Sequence, residues 1–531
     1  MLAKTLSSPI STTPDSSICT EIDTEKEHHI EYFTELWAGG SPLCLLFRTA
    51  QQGYLYDTGT NRIVRCSDIE YTLLNDLMHM SIVEALDKEA SVYSRAEIIN
   101  ALQDLRTSFA KMNLLGVKKV KQFGLSAHYH FLEEAINSSV SMIELEVTER
   151  CNLRCAYCIY EPHYLINRNH GFQDMSLETA YQAIDYLALH SDHTRKVGIT
   201  FYGGEPLLRF PFIKKCVTYA HERIKNREIG FSMTTNATQI SASIASYLSK
   251  EKFGISVSID GPQEVHNQYR RDINGEGSYE RTIAGLKLLL DTYGEDYKKI
   301  SLSMVYSPPY SSEKIGRMAE LWQENRWIPK DISSNTSYSI GFFPPSCGTG
   351  EDAGRDYSLF KWSRDEFTYN YRRGTSGHPI ARNFLEKKLA TLMQRPIYPS
   401  PMEYFHLNAC CVPGVRKLLV SATGNFLPCE RNGSAPIIGN VYRGVDLDIV
   451  KRIYVEEYEK ASLPVCSTCW ALQLCEICYM HTFSQKGIDI IMKNEFCAGD
   501  KQLIIEYLKL YCHLLEINDT GLDYLMTMKM S

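Results

Sequence analysis

The sequence predicts an α/β protein built around a partial barrel of six strand–helix units, with a small α+β domain before it and a cysteine-rich region after it. Three observations support this fold class. Strand-like and helix-like segments alternate over 141–345, a hairpin and amphipathic helices occupy 35–125, and eight of the 17 cysteines lie between 410 and 497. Regular strand–helix alternation implies parallel strands joined by crossover helices.

The composition and charge indicate a globular protein that does not bind nucleic acid or membranes. A length of 531 residues is enough for two to four domains, and 44% hydrophobic residues are enough for a sizeable core. The net charge of −7 and the absence of basic runs argue against nucleic-acid or membrane-surface binding. No stretch resembles a secretory signal or a bilayer span, so we expect a cytoplasmic protein. In a reducing compartment, clustered cysteines indicate metal or redox chemistry rather than disulfides.

The six predicted units define where chemistry should occur. Reactive groups of such barrels sit at the carboxyl ends of the strands. Strands are predicted at 142–147, 197–202, 230–235, 254–259, 300–305 and 338–343, and helices at 176–190, 210–226, 240–250, 278–292 and 312–326.

The flanking regions have less regular patterns. Residues 1–34 are polar and expected to be loose, and 346–405 are predicted to form a connector with two helices. The cysteine-rich region spans 406–500, and residues 501–531 end the chain with a predicted C-terminal helix that begins near 499. In 35–125, strands are predicted at 43–48, 53–57 and 61–65, followed by helices that begin after Ser67 and near 81 and 94.

A short cysteine motif follows the first barrel strand directly. It reads Cys151-Asn-Leu-Arg-Cys155-Ala-Tyr-Cys158. Three thiolates on one loop can bind three irons of an iron–sulfur cube and leave the fourth iron open. An open coordination position is typical of a reactive metal site. The alternative is a structural zinc site or chance spacing.

This motif, with the aromatic Tyr157 beside its last cysteine, resembles the radical S-adenosylmethionine (SAM) superfamily. Further matches occur in order at the ends of successive strands. The resemblance implies a TIM-like radical SAM barrel, a 4Fe–4S cluster on the three cysteines, and a Glu205 that holds the SAM amino group. It leaves open which of the other matching residues touch SAM. The cofactor-binding candidates are Tyr157, Gly203, Gly204, Glu205, Asn236, Ser258 and Asp260.

The resemblance also implies the chemistry. One electron from the reduced cluster cleaves SAM into methionine and a 5′-deoxyadenosyl radical, which abstracts hydrogen from an unactivated carbon. A one-electron donor such as flavodoxin or ferredoxin is an implied partner. The residue that acts as acid or base is not identified by any motif.

The second cysteine region contains two Cys-x2-Cys motifs, which by themselves favour a zinc site. Its layout resembles the SPASM domain, which carries two auxiliary 4Fe–4S clusters. The resemblance assigns Cys466, Cys469, Cys475 and Cys497 to one cluster, and Cys429, Cys478 and one or both of Cys410 and Cys411 to the other. Two features depart from that pattern: the last pair is spaced x2 instead of x3, and the vicinal pair is awkward for double ligation. The second cluster could therefore have an open iron able to bind a substrate thiolate.

Together these features resemble maturases of ribosomally made precursor peptides, and the stretch from Cys411 to Arg431 resembles thioether-forming members. The 35–125 domain resembles a winged-helix-like domain that binds the leader of the precursor through a strand edge. The alternative is a purely structural N-terminal domain. Other enzymatic readings are carbon–carbon or carbon–oxygen crosslinking, epimerisation and sulfatase-type formylglycine maturation. A scaffold that holds zinc or inert clusters is the non-enzymatic alternative.

Overall fold

The computed structural model describes residues 21–124, 130–158, 160, 170–339, 357–406, 410–431, 435–484 and 487–529. Among these residues, no helix is both long enough and apolar enough to cross a lipid bilayer.

The N-terminal unit is a three-stranded antiparallel sheet in the order β1-β2-β3, covered by four helices. Three of the helices begin at serines whose hydroxyl accepts from the backbone N–H three residues later, while the glutamate there accepts from the serine N–H. The elements are α1 (Glu21–Trp37), β1 (Cys44–Arg48), β2 (Gly53–Asp57), β3 (Arg62–Cys66), α2 (Asp68–Leu77), α3 (Ile82–Glu89) and α4 (Arg95–Met112).

Helix α1 corrects one expectation. The sequence favours a loose segment over 1–34, but residues 21–34 belong to this helix, while 1–20 lie outside the described residues. Phe33 is buried and packs against Phe109 of α4 at a ring-centroid distance of 6.3 Å. Sequence patterns did not predict this helix, because charged residues are frequent in it. Its apolar side chains from Ile30 onward nevertheless pack into one core.

Six parallel strands lie side by side in chain order, β5 to β10, which confirms the predicted α/β fold with a central parallel sheet. Their apolar faces pack against the crossover helices in one large core. The elements are β4 (Gln122–Phe123), α5 (Leu132–Ser138), β5 (Met142–Thr148), α6 (Leu177–Leu189), β6 (Lys196–Gly203), α7 (Phe210–Arg223), β7 (Glu228–Thr235), α8 (Ala242–Lys250), β8 (Gly254–Ser258), α9 (Gln263–Tyr269), α10 (Tyr279–Tyr293), β9 (Ile300–Tyr306), α11 (Ser312–Ala319), α12 (Leu321–Glu324) and β10 (Ser333–Tyr338).

The sixth strand is displaced from its predicted position. Prediction placed it at 338–343, whereas β10 ends at Tyr338 and pairs with β9 from Ser333 onward; residues 340–343 lie outside the described residues. The actual strand reads SSNTSY, so hydropathy favoured the apolar run that follows it. Pairing with β9 and burial of alternate residues decide the strand instead.

The concave face of the sheet forms a polar lumen. Ile199, Phe201 and Ile255 point into the core, so the alternating residues Thr200 and Ser256 face the other way and are half-buried. The Thr200 hydroxyl lies 2.8 Å from that of Ser232 on the next strand. Closed eight-stranded barrels fill this space with bulky branched side chains. Here small hydroxyl side chains occupy the corresponding positions.

The C-terminal region extends the same sheet. Strand β12 pairs in parallel with β5, and three short antiparallel strands follow outward, which makes ten strands in total. The last helix begins nine residues before its predicted start and so includes Cys497. The elements are α13 (Ser358–Arg373), α14 (Pro379–Gln394), β11 (Tyr404–Phe405), β12 (Lys417–Val420), β13 (Asn425–Leu427), β14 (Gly439–Asn440), β15 (Gly444–Val445), α15 (Leu447–Ile449), α16 (Tyr458–Cys466), β16 (Phe483–Ser484), β17 (Gly487–Ile488) and α17 (Ile490–Ile517).

The N-terminal unit shares a core with the C-terminal helices. Tyr54 and Tyr56 of β2 are buried in one apolar cluster with residues of α13, α14 and α17. The Tyr54 hydroxyl donates to the Glu516 carboxylate at 2.8 Å, and the Thr58 hydroxyl donates to the Trp470 carbonyl at 2.6 Å. Removing this unit would therefore expose part of the C-terminal core.

Candidate active site

The loop after β5 carries three cysteines that line a cavity of about 230 Å³. Cys155 is buried, Cys151 and Cys158 are half-buried, and none of the three forms a disulfide. Burial raises the pKa of Cys151 and of Cys155 to about 12, and the neighbouring Cys158 thiol adds to each rise. Bare thiols here keep their protons at neutral pH, so a metal that binds must displace them.

Amide side chains fasten this loop to the end of β7. Asn236 donates to Asn152 at 3.0 Å, and Asn152 donates to the Thr238 hydroxyl at 2.8 Å. Asn236 also lies 4.0 Å from the Cys151 sulfur. The position of the first cysteine therefore depends on a residue at the end of a different strand.

Two glycines bring the end of β6 against the cysteine loop. A β-carbon on Gly203 would lie 2.2 Å from the Thr148 carbonyl oxygen, and one on Gly204 would lie 2.2 Å from that of Arg150. Gly203 also has φ of +131°, which side chains rarely tolerate. The backbone N–H groups of Gly204 and Glu205 donate to those same two carbonyls, at 2.8 and 2.9 Å. The close approach thus joins two strand ends into one wall of the cavity.

Glu205 is buried beneath this wall and lines the cavity. One carboxylate oxygen accepts from the Leu207 N–H at 3.0 Å and the Thr235 hydroxyl at 2.7 Å, and the other accepts from the Asn236 N–H at 2.8 Å. Burial raises the pKa of this carboxyl, and the three hydrogen bonds oppose the rise. The second oxygen keeps a lone pair for a further donor.

A buried network supports the second cysteine from behind. The Asp260 carboxylate accepts from the Tyr157 hydroxyl and from Arg270 Nε, the latter at 3.0 Å, and its other oxygen accepts from the Val305 N–H at 2.9 Å. The guanidinium of Arg270 lies 4.0 Å from the Cys155 sulfur and 5.3 Å from the Tyr157 ring centroid. Three strand ends thereby place one positive charge beside a cysteine sulfur.

Four cysteines of the second region form a connected set, in which each lies within electrostatic reach of at least one other. They are Cys466 at the end of α16, Cys469 and Cys475 in the following loop, and Cys497 on α17. Burial raises the pKa of the last three of these thiols.

A second grouping contains Cys410, Cys429 and Cys478. Cys478 interacts with both of the other thiols, and burial raises the pKa of Cys429 to about 12. Cys410 is buried and accepts a hydrogen bond from the Tyr458 hydroxyl, whereas the adjacent Cys411 is exposed. The structure thus separates the vicinal pair, with the first thiol inside and the second outside.

These three groupings fit iron–sulfur clusters by their donor chemistry. They present three, four and three cysteines that are not in disulfides, and thiolate is the ligand of such clusters. In the described part of the chain, no three His, Cys, Asp or Glu side chains converge on a position for a single metal ion. A cube binds one thiolate at each iron, so its ligands need not converge in that way.

Residues 145–321 match the family model of the Radical SAM superfamily. This segment is a radical SAM domain. The cofactors of this segment are SAM and a 4Fe–4S cluster, and the segment is catalytic, as the cysteine motif predicted. The cysteine-rich C-terminal region is consistent with further clusters.

The curated relatives match only part of this chain. An uncharacterized protein of Methanocaldococcus jannaschii is 40% identical over 145 residues, 27% of this chain and 47% of that protein. A cysteine-type anaerobic sulfatase-maturating enzyme of Clostridium novyi is 27% identical over 168 residues, 31% and 44% of the two chains. The radical SAM cyclopropyl synthase TigE of Paramaledivibacter caminithermalis is 24% identical over 231 residues, 41% and 47% of the two. The chain spans less than half the length of each of these relatives.

The fold is also similar to that of anSMEcpe with bound AdoMet. The TM-score is 0.52 at 20% identity, and the alignment covers 73% of this chain and 98% of that one. At this identity, the similarity concerns the fold alone.

The cavity of the radical SAM domain contains most of the predicted residues. The three cysteines, Tyr157, Gly203, Gly204, Glu205, Asn236 and Ser258 line it. Asp260 does not; it lies behind the wall, with both oxygens bonded to protein groups. Sequence reasoning missed several lining residues, among them Tyr160, Tyr202, Ser303 and Ser337. Ser303 could have been found from its alternation with apolar residues along β9, whereas the polar sequence of β10 offers no such signal for Ser337.

We expect Glu205→Ala to weaken SAM binding by about tenfold or more while the cluster stays bound. A hydrogen bond to a charged group contributes roughly 1.5–3 kcal/mol, and about 1.4 kcal/mol corresponds to a factor of ten. Calorimetry of SAM binding, with iron analysis of the same sample, tests this. Glu205→Gln is the matched control, because it keeps the shape and loses the charge. A dissociation constant equal to that of the wild type in both variants would contradict the role of Glu205.

Proposed function

We propose that this protein is a radical SAM peptide maturase that joins cysteine sulfur to carbon within a ribosomally made precursor peptide. The observation that carries the proposal is the placement of two cysteine groupings toward opposite ends of one polar lumen. When bound, the cluster and SAM supply a 5′-deoxyadenosyl radical that removes hydrogen from a substrate carbon. The residues of this chain bind and orient the substrate.

Strand β5 sets the geometry of the two ends. The loop with Cys151 follows its carboxyl end, whereas Lys417 is paired with Met142 at its amino end. Lys417 binds Glu144 at 2.7 Å and Glu430 at 2.6 Å, and Glu430 directly follows Cys429. Seven strand residues span about 20 Å. A substrate side chain in the lumen therefore lies between the SAM-site cysteines and the grouping that contains Cys429.

The lumen suits a peptide because its walls carry small hydroxyl groups that can bond to backbone amides. The similar fold of anSMEcpe has also been solved with bound AdoMet and a peptide named Cp18Cys. Curated relatives include enzymes named for sulfatase maturation and for cyclopropyl synthesis. We infer that a segment of a precursor peptide enters the lumen from the cavity side.

Thioether formation removes two hydrogens from the peptide, one as an atom and one as a proton, together with one electron. A hydrogen atom leaves the substrate carbon to the radical, the peptide thiol loses a proton, sulfur and carbon bond, and one electron leaves. The grouping of Cys410, Cys429 and Cys478 supplies three thiolates, which leaves one iron of a cube open. That cluster would accept the electron and could hold the peptide thiolate. An external donor such as flavodoxin or ferredoxin would reduce the SAM-site cluster.

Tandem mass spectrometry of the treated precursor tests the proposal. We expect a loss of two hydrogens per bond and protection of the bonded cysteine from alkylation. Cysteines that all still alkylate would exclude a thioether. The second candidate is formylglycine maturation, favoured by the sulfatase-maturating relatives. An aldehyde that reacts with hydrazide probes would identify it.

The N-terminal sheet offers an edge to the leader of the precursor. Strand β3 pairs with β2 on one side, and on its other side the described residues provide no backbone partner. An incoming strand can pair there through main-chain hydrogen bonds, which tolerate varied side chains.

We expect added precursor to slow amide hydrogen exchange in Arg62–Cys66. The reason is that new main-chain bonds protect the outward N–H groups of β3. Hydrogen–deuterium exchange with mass spectrometry measures this without deleting a unit that shares the C-terminal core. Strand β1, the other edge of the same sheet, is the internal control. Protection of Cys44–Arg48 alone, or of neither edge, would show that the leader does not bind at β3.

A further inference from the structure

A fully buried lysine lies between the two cysteine groupings of the C-terminal region. Lys493 is 1% exposed and occupies the first turn of α17. Its ammonium lies 3.1 Å from the Tyr458 hydroxyl, 2.8 Å from the Ser462 hydroxyl and 3.5 Å from the Cys466 sulfur. It also lies 4.6 Å from the centroid of the Tyr458 ring. An ammonium has three donors, and these three partners use all of them.

The hydrogen-bond partners of Lys493 are two hydroxyls and a thiol, none of which carries a full negative charge in the protein without metal. Among the described residues, no carboxylate forms an ion pair with it within 4 Å. A buried charge is costly unless it is paired. Its position adds to the cost, since the amino end of a helix carries partial positive charge and disfavours a cation. The site therefore requires a nearby anion.

Thiolates bound to clusters would provide that anion. Lys493 bonds to Cys466 and lies within electrostatic reach of Cys475, Cys497 and Cys410. Its neighbours thus belong to both groupings of the C-terminal region. Net charge and hydrogen bonds to sulfur are two of the factors that set the potential of an iron–sulfur cluster.

We propose that Lys493 is a positioning residue whose fixed charge raises the reduction potential of the cluster held by Cys466, Cys469, Cys475 and Cys497. The inference rests on the auxiliary clusters of the proposed function. A positive charge beside a thiolate favours the more negative, reduced state of the cluster. Because the lysine is buried, solvent and salt screen it little.

A hydrogen-bonded chain extends this influence to the second grouping. Lys493 donates to the Tyr458 hydroxyl, and that hydroxyl donates to the Cys410 sulfur. One lysine and one tyrosine thus connect a cysteine of each grouping. The effect on the cluster at Cys410 is smaller, because the charge acts there through an intervening hydroxyl.

A redox titration followed by electron paramagnetic resonance tests the inference. The background is the variant with Cys151, Cys155 and Cys158 replaced by alanine, so that the SAM-site cluster does not contribute. We expect Lys493→Gln to lower the equilibrium constant for reduction at least tenfold, which is 59 mV for a one-electron couple. Lys493→Arg keeps the charge and should stay near the wild-type potential.

Lys501 provides a matched control. It is half-buried and bonds to Cys469 of the same grouping, so solvent screens its charge more strongly. Lys501→Gln should therefore shift the potential less than Lys493→Gln. A shift that is equal or larger would overturn the assignment of the effect to the buried charge.

The remaining outcomes are also decisive. Equal potentials in Lys493→Gln and Lys493→Arg would overturn the inference, and so would loss of the cluster in both variants, because the charge would then not be what matters. Loss of iron in Lys493→Gln alone would also overturn it, because the charge would then serve to retain the cluster and not to set its potential. If wild-type protein holds only about four irons per chain, the auxiliary clusters of the proposed function fail first, and iron analysis of the starting protein reveals this separately.

Discussion

Replacing Cys155 by alanine is expected to abolish 5′-deoxyadenosine formation, and replacing Cys151 or Cys158 should do the same. Each change removes one of the three thiols that line the cavity of the radical SAM domain. Two remaining thiols cannot hold a cube in the position where one iron meets SAM. The expected rate is that of protein without the cluster. Anaerobic assay with dithionite, followed by chromatography of the nucleoside product, measures it.

Cys216→Ala is the matched control for this series. Cys216 is a fully buried thiol on α7 in the main core and lies outside all three cysteine groupings. Losing one sulfur from a core position leaves a small cavity and modest destabilisation. Activity should therefore persist in this variant. Wild-type rates of SAM cleavage in any of the three cavity variants would refute the assignment of the cluster ligands.

The second large effect is expected for Cys429→Ala. It should eliminate crosslinked product while 5′-deoxyadenosine still forms. The two cysteine groupings are far apart, because Cys429 lies near the amino end of β5 and the SAM-site cysteines lie near its carboxyl end. Loss of the cluster at Cys429 should therefore leave the SAM site intact. Parallel measurement of nucleoside by chromatography and of peptide by tandem mass spectrometry shows whether the two activities separate.

The adjacent cysteines Cys410 and Cys411 allow a ligand and a non-ligand to be compared at neighbouring positions. Cys410 is buried beside Tyr458, and Cys411 is exposed. Cys410→Ala should therefore behave like Cys429→Ala, whereas Cys411→Ala should retain its irons and form product. Circular dichroism of each variant shows whether the domain stays folded. Crosslinking that survives in folded Cys429→Ala would mean that this cluster takes no part in bond formation.

Local patterns were sufficient for much of the barrel. Alternation of apolar residues located β5 to β9 within about two residues, because each strand buries one face against helices. The helix predicted from 176 begins at Leu177, and the Ser176 hydroxyl caps it by accepting from the Thr179 N–H. The same approach misplaced β10, whose polar sequence is a strand only because β9 pairs with it.

The candidate site was only partly accessible to such patterns. Spacing identified the cysteines and the glycines, since these residues act through local backbone geometry. The pairing of Asp260 with Arg270, and the turn of Cys410 inward and Cys411 outward, depend on side chains from distant segments. No sequence pattern singled out Lys493 as a functional residue, because a lysine in a helix is usually exposed.

The sequence by itself determined the class of chemistry, because three closely spaced cysteines after a strand can present an open iron wherever the rest of the chain lies. The alternation of strand-like and helix-like segments also predicted parallel strands joined by crossover helices. Only the tertiary structure decided that β12 joins the second cysteine region to β5, and that a buried cation lies between its two groupings. The physical reason is that sheet pairing and burial of charge are long-range: they depend on which segments meet and not on the residues beside them in the chain.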